Sequence, residues 1–357
     1  MKKISTRIPK KRGHVTQIGK LHECLLKRHS RNSFTSYPQG IREIRVKSLF
    51  LLLAAILLAA CAQPATATPV PASSPSPLPS SPSPLLTSSP LPPTSTLTPC
   101  DPSAADYCLT DGTFLLQRPI AAPANDAVDR AYPYASTAGG TREPHHGVEF
   151  PNASGTPVLA AADGTVFYAG DDSSTRFGPW TNFYGNLVVL EHSLASRTIF
   201  TLYGHLSIVN VVAGQPVRAG DKIGEVGATG VAIGSHLHFE VRLAPEDYAS
   251  TLNPELWLAL HPGAGVLSIR LADGDGNFVT APLSVQYFPD AGGAFTQAWQ
   301  PDVYPDELLI INHWENAALG NLAPGHYRVT FLWEGVWQER WVEVQAGKLT
   351  QVEFVMK

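Results

Sequence analysis

The sequence predicts an all-β protein made of two domains. Short apolar segments recur from about residue 115 onward and are separated by turns that contain glycine, such as Asp163-Gly164. Few stretches show the 3.6-residue apolar period of an amphipathic helix. With 357 residues, of which 44% are hydrophobic and 16% charged, the chain can hold two folded domains of ordinary size.

The first domain is predicted as a mostly antiparallel sheet. Its strands are expected at residues 157–161, 165–168, 186–191, 198–203 and 236–242. Near its end, Asn253-Pro254-Glu255 predicts a brief helix that begins at the proline. We assign residues 100–262 to this domain.

A second all-β domain is predicted over residues 263–357, most simply a β-sandwich. Alternating segments are expected as strands at residues 266–270, 326–332, 341–344 and 351–355. The phrases Pro-Gly-His-Tyr-Arg-Val and Val-Glu-Val-Gln-Ala-Gly resemble transthyretin-like accessory domains, which occur beside many extracellular enzymes. This resemblance is generic and implies an accessory role.

Residues 1–60 are predicted to be a leader and a lipoprotein signal peptide. The apolar run 49–60 is shorter than the roughly 20 residues of a spanning helix and has the length of a signal-peptide core. It ends at Cys61 in Leu-Ala-Ala-Cys, which resembles a bacterial lipobox, so we expect Cys61 to be lipidated. A plain signal peptide is the alternative, and the translation start is open between Met1 and Val46.

Residues 61–99 are predicted to be the lipidated cysteine and a tether. Residues 62–99 hold 12 Pro, 9 Ser and 6 Thr and no charged residue, so this segment cannot form a core.

Residues 61–357 hold 13 basic and 28 acidic residues, which excludes a nucleic-acid partner. We expect an extracytoplasmic protein anchored to a membrane by its lipid. Cys100 and Cys108 are a candidate disulfide in that compartment.

Two pairs of side chains are predicted to share a strand face. His236 and His238 are two residues apart in a predicted strand, so their imidazoles project together. By the same alternation, Tyr203 and His205 share a face at the end of another strand. Two imidazoles are thus fixed on a rigid element.

A third cluster lies in residues 142–150, where His145 and Glu149 can converge across Gly147. Three nitrogen and oxygen ligands with one position left for water are typical of a catalytic zinc site. Each cluster is a weak signal alone, because isolated histidines are usually ordinary surface or core residues. That ordinary interpretation is kept for His146, His192, His261, His313 and His326.

In their order along the chain, these clusters resemble the M23 metallopeptidase family of lysostaphin and LytM, whose pattern is H-x-x-x-D, Y-x-H and H-x-H. Residues 155–160, 184–192, 217–224 and 227–230 also resemble the family, so the resemblance covers nearly all of residues 145–242. It implies an antiparallel LytM/lysostaphin-type peptidase fold.

The resemblance also implies the site residues. One Zn²⁺ per chain would be held by His145, Glu149 and His238, and His205 and His236 would be the catalytic histidines. Tyr203 is then a candidate for transition-state support. Glu149 stands where the family usually has Asp, and we expect its longer carboxylate still to bind the metal.

The function that the resemblance implies is zinc metalloendopeptidase activity on peptide bonds of peptidoglycan. Zinc would activate water, and the two catalytic histidines would transfer protons. The alternative is a non-catalytic LytM-like scaffold that activates other cell-wall hydrolases.

A third hypothesis gives the main role to glycan or protein binding by the C-terminal domain, although its aromatic side chains are also typical of a core. The candidate contacts are Trp314, Trp333, Trp337 and Trp341. The bond that is cut and the oligomeric state are not indicated by the sequence.

Overall fold

The fold is known from a computed structural model that describes residues 100–290, 292–304 and 313–357. The predicted leader, Cys61 and the tether lie outside the described residues. In the described part, the regular elements are 18 strands and two short 3₁₀ helices, Tyr248–Ser250 and Pro254–Leu256. The all-β prediction is therefore confirmed. None of the helices in this part has the length and apolar character needed to cross a membrane.

Eleven of the described strands precede residue 263. They are β1 (Cys108–Asp111), β2 (Val148–Pro151), β3 (Pro157–Leu159), β4 (Gly164–Asp171), β5 (Asn186–Leu194), β6 (Arg197–Leu206), β7 (Ile208–Val209), β8 (Pro216–Val217), β9 (Lys222–Glu225), β10 (His236–Arg242) and β11 (Thr251–Leu252). The main sheet has the antiparallel order β11-β10-β6-β5-β4-β8, and β2 also pairs with β10. A smaller sheet has the order β3-β9-β7.

Strand β10 is central to the main sheet, with β6 on one side and β2 and β11 on the other. Its residues Leu237, Phe239 and Val241 are fully buried in the core of the first domain. The alternation of a strand therefore sends His236 and His238 to the opposite face, as predicted. One face of β10 stabilises the domain, and the other carries polar side chains.

Seven described strands follow residue 262. They are β12 (Gly265–Asp273), β13 (Leu283–Phe288), β14 (Gln297–Trp299), β15 (Ala317–Leu322), β16 (Gly325–Trp333), β17 (Val336–Val344) and β18 (Lys348–Met356). Together with β1 they form two four-stranded sheets, with the orders β1-β18-β12-β15 and β14-β13-β16-β17. Side chains from both sheets, including Leu267, Val329 and Val352, share one apolar core. The assignment as a transthyretin-like sandwich stays a prediction.

The entry segment departs from the predicted domain boundary. Strand β1 pairs antiparallel with β18, from Cys108 opposite Gln351 to Asp111 opposite Lys348, and Tyr107 packs against the C-terminal core. This segment, which we assigned to the first domain, therefore completes a sheet of the second. Cys100 and Cys108 are joined by a disulfide with a Cα–Cα distance of 5.7 Å.

Candidate metal centre

The pairing of β2 with β10 brings a carboxylate to the histidine face. Glu149 lies directly opposite His238, so both side chains project from the same side of the sheet. On the other edge of β10, His238 lies opposite Gly204 of β6. A Cβ atom at Gly204 would lie 3.0 Å from Cδ1 of Tyr184. Glycine therefore leaves room for the Tyr184 ring beside His238.

His145 reaches the same place from the loop before β2, and Gly147 makes this approach possible. A Cβ atom at Gly147 would lie 2.6 Å from the carbonyl oxygen of Phe239 and 2.8 Å from Nε2 of His238. Any larger residue would push the loop away from β10. The predicted convergence of His145 and Glu149 across this glycine is what the structure shows.

Hydrogen bonds fix the tautomers of both imidazoles. Nδ1 of His145 donates to the carbonyl oxygens of Tyr132 and Pro133 at 3.0 and 3.1 Å. Nε2 of His238 donates to Glu240 at 2.8 Å. The lone pairs therefore lie on Nε2 of His145 and Nδ1 of His238, which are 3.2 Å apart. Such bonds from the outward N–H are typical of metal-binding histidines.

The carboxylate of Glu149 completes a donor set that fits a zinc ion. Its Oε1 lies 3.7 Å from Nε2 of His145, and the ligand atoms of His145, Glu149 and His238 all lie within 4.8 Å of one another. Ligand atoms of a tetrahedral zinc site are roughly 3.3 Å apart. Two facing lone pairs and a carboxylate repel one another unless a cation lies between them. Burial raises the pKa of Glu149 because the ionised carboxylate loses contact with water. A bound cation would offset this desolvation cost.

Glu240 accepts a hydrogen bond from His238 and was not predicted from the sequence as a site residue. It is fully buried and accepts hydrogen bonds from His238, from the Tyr184 hydroxyl at 2.5 Å and from Nε of Arg242 at 2.5 Å. Burial raises the pKa of Glu240, but the charge of Arg242 and the hydrogen bond from His238 outweigh this and lower it. The carboxylate is therefore charged, which makes it a strong acceptor for the imidazole N–H.

Arg242 is buried with no exposed surface and is itself held in place. Its Nη1 donates to the carbonyl oxygens of Phe177 and Pro245 at 3.0 and 2.9 Å. Glu240 and Arg242 continue the every-second-residue row of His236 and His238 along β10. This alternation could have identified Glu240 and Arg242 from the sequence, because charged side chains on a buried face must be paired.

Two further histidines line the same cleft. Nδ1 of His205 donates to the carbonyl oxygens of Thr229 and Tyr184 at 2.8 and 3.1 Å, so its Nε2 holds the lone pair. Nδ1 of His236 donates to the carbonyl oxygen of Gly234 at 3.2 Å, and its buried Nε2 lies 3.3 Å from Oε1 of Glu149 without a hydrogen bond to any described residue. The two rings are 4.9 Å apart.

Both of these histidines are neutral at neutral pH. Burial, together with the neighbouring rings of His238 and His236, lowers the pKa of His205 to about 3. Burial and His238 lower the pKa of His236 to about 4. Each therefore has a nitrogen that can accept a hydrogen bond or a proton.

Tyr203 does not lie in the site, and its predicted role in transition-state support is wrong. Its ring is buried in the core, and its hydroxyl accepts hydrogen bonds from the backbone N–H of Ala161 and from Thr201 at 2.8 and 3.0 Å. The alternation fails because His205 adopts a left-handed backbone conformation, with φ of 63°, beside an irregular register between β5 and β6. Tyr184 is the tyrosine that lies beside His205 and His238.

The five polar residues face an open cleft of about 450 Å³. Its wall includes the exposed side chains of Trp180, Val231 and Ile233. Arg142 and Tyr132 also line it, and the Arg142 guanidinium lies 5.0 Å from the centre of the Tyr132 ring.

An antiparallel domain with two imidazoles and a carboxylate in an open cleft, beside two neutral histidines, has the features of a metallopeptidase. Residues 143–254 match the family model described as Peptidase family M23. These residues therefore form an M23 peptidase domain, and the resemblance seen in the motifs is confirmed there.

Three relatives show the extent of this similarity. The cell division protein DipM of Caulobacter vibrioides is 40% identical over 121 residues, which are 33% of this chain and 18% of DipM. The DD-carboxypeptidase/endopeptidase Mpg of Neisseria meningitidis is 38% identical over 28% of this chain and 20% of Mpg. The peptidoglycan DD-endopeptidase ShyA of Vibrio cholerae is 41% identical over 28% of this chain and 20% of ShyA. The chain thus matches no more than 20% of the length of each of these three relatives.

Proposed function

We propose that this protein is a zinc-dependent endopeptidase that hydrolyses peptide bonds of peptidoglycan. The observation that supports the proposal most is the convergence of His145, Glu149 and His238, with the two imidazole nitrogens that carry lone pairs 3.2 Å apart. Two of the relatives, ShyA and Mpg, carry names that describe endopeptidases, and ShyA is named for peptidoglycan. Peptidoglycan peptides are therefore the proposed substrate.

His145, Glu149 and His238 would hold the zinc ion. When bound, zinc supplies Lewis-acid chemistry, polarising a substrate carbonyl and making water more acidic. Nε2 of His205 and Nε2 of His236 are the acceptors available in the cleft for a proton from the attacking water. After proton transfer, the same nitrogens can donate to the departing amine or to the oxyanion.

Replacing His205 by Ala is expected to leave zinc binding intact and to slow cell-wall hydrolysis by roughly 10²–10⁴-fold, the usual contribution of general acid–base catalysis. The reason is that His205 lies outside the donor set and contributes only its free Nε2 to the cleft. The measurement is zinc content by mass spectrometry alongside release of soluble muropeptides from purified walls. Tyr203→Phe is the control, because that hydroxyl lies in the core, and its activity should stay near wild type. Equal hydrolysis by all three proteins would remove His205 from the catalytic mechanism, and no hydrolysis by the zinc-loaded wild type would support a non-catalytic scaffold instead.

The proposed location is the extracytoplasmic side of a membrane, with the enzyme held by a lipid on Cys61 and extended by residues 62–99. The apolar run before Cys61 and the uncharged Pro-rich segment after it support this proposal. Cells grown with labelled palmitate should label the wild-type protein and not a Cys61→Ala variant. Label in both proteins would show that Cys61 is not the lipidated residue.

A further inference from the structure

Residues 132–136 form the segment that holds the candidate ligand His145. The ring of Tyr132 stacks on the His145 imidazole with the ring centres 4.1 Å apart. The backbone N–H of Ala135 donates to the carbonyl oxygen of His145 at 2.7 Å, and the N–H of His145 donates to Ser136 at 2.9 Å. With the two carbonyl acceptors of Nδ1 in the same segment, any shift of residues 132–136 moves the imidazole.

This segment belongs to no strand, and Tyr134 fastens it to the C-terminal domain. The Tyr134 side chain is 2% exposed, and its hydroxyl lies 2.9 Å from Oγ1 of Thr251. It also lies 3.4 Å from Nε2 of His313. The Tyr134 ring packs edge-on against Tyr304, with the ring centres 5.2 Å apart. His313 and Tyr304 both come from the C-terminal domain.

These partners are themselves fixed by buried hydrogen bonds. Nδ1 of His313 lies 2.9 Å from Oε1 of Glu315, and Nε2 of His313 donates to the carbonyl oxygen of Thr251 at 2.9 Å. The hydroxyl of Tyr304 accepts from Asn253 at 2.7 Å and donates to Glu315 at 3.4 Å. The Tyr304 side chain also packs within the core of the first domain. A continuous polar network therefore joins the two domains behind the segment.

Arg130 provides a second attachment just before the segment. Its Nη1 lies 2.8 Å from the Glu255 carboxylate, and its Nη2 donates to the carbonyl oxygen of Gly320 on β15. The same carboxylate accepts the backbone N–H of Gly320 at 2.9 Å. The Glu255 side chain is 3% exposed, so this pair is shielded from water on that side. The chain is thus held to the C-terminal domain at Arg130 and again at Tyr134.

We propose that His313, Tyr304 and Glu315 of the C-terminal domain act as positioning residues for His145. They hold Tyr134, and Tyr134 holds the carbonyl groups that orient the imidazole. The part of this inference that concerns zinc affinity rests on the proposed function, whereas the part that concerns the order of residues 132–146 does not. The C-terminal domain is then required for a pre-organised metal site.

The test uses the full chain with two variants and a matched control. Tyr134→Phe removes the hydroxyl that meets Thr251 and His313, and His313→Ala removes the C-terminal partner. Tyr327→Phe is the control, because Tyr327 is also fully buried and donates one hydrogen bond, to Ala323 at 2.7 Å, within the C-terminal domain. The two readouts are the zinc Kd, from competition with a chromophoric chelator, and hydrogen exchange of peptides covering 132–146 in the metal-free protein.

Both variants are expected to raise the zinc Kd about tenfold, within the range found when groups that orient a metal ligand are removed. Exchange of the 132–146 peptides should also rise in the metal-free variants. Tyr327→Phe should lower stability by a similar amount and change neither readout. Unchanged zinc Kd and unchanged exchange in both Tyr134→Phe and His313→Ala would overturn the inference and leave the contact a structural interface only. If the wild type binds no zinc, the proposed function fails, and the exchange of the metal-free proteins still decides the inference.

Discussion

Full-length protein carrying His238→Ala is expected to lose its zinc and to release no muropeptides above background from purified cell walls. Nδ1 of His238 provides one of the two facing lone pairs, 3.2 Å from Nε2 of His145, and alanine offers no ligand atom in its place. The measurement is zinc per chain together with wall hydrolysis. His326→Ala is the matched control, since His326 lies on β16 in the C-terminal domain, and it should keep both zinc and activity.

Two substitutions at Glu149 are expected to have different effects on zinc binding. Glu149→Ala removes the carboxylate opposite His238 and should lose zinc, while Glu149→Asp keeps the charge at the family's usual length and should retain it. Zinc content that is the same in the wild type and both variants would remove Glu149 from the donor set. Loss of zinc in Glu149→Asp as well as in Glu149→Ala would show that this cleft is built around the longer side chain.

Replacing Arg242 by Met is expected to lower the free energy of unfolding by about 3–5 kcal/mol, because it leaves a buried carboxylate without its cation. Glu240 has no exposed surface, and its two other donors are the neutral Tyr184 hydroxyl and the His238 imidazole. The measurement is denaturant unfolding in the presence of a chelator, so that zinc does not contribute.

The control for this prediction is Arg328→Met. Arg328 pairs with Glu339 at 3.7 Å and donates to the neutral Gln286, but the Arg328 and Glu339 side chains are 34% and 48% exposed. No buried charge loses its partner, so the loss should be about 1 kcal/mol. Equal losses in the two variants would contradict the view that Arg242 compensates a buried charge.

Much of the site could be predicted from the sequence because β10 is a regular strand paired on both edges. There the two-residue alternation holds without interruption, so His236 and His238 share a face and Leu237 lies in the core. The same alternation extends to Glu240 and Arg242, and it would have identified them as supports for the metal ligand. The wall of the cleft comes from loops, for which no such period exists.

The predictions from the sequence are wrong where a local backbone conformation, or pairing between segments far apart in the chain, decides the position of a residue. Strand alternation placed Tyr203 beside His205, but the left-handed backbone at His205 turns that ring into the cleft and leaves Tyr203 in the core. Strand β1 joins β18 from the far end of the chain, and no local pattern carries that pairing. The contact of Tyr134 with His313 likewise depends on how two domains meet.

Metal content decides whether His145, Glu149 and His238 form a zinc site in the M23 peptidase domain. The full-length protein should be stripped with a chelator, dialysed against zinc and analysed for metal per chain, with X-ray absorption to count nitrogen and oxygen neighbours. We expect one zinc per chain with two imidazole nitrogens and only oxygen as further neighbours. A well-folded protein that takes up no zinc, or zinc bound through sulfur, would contradict it.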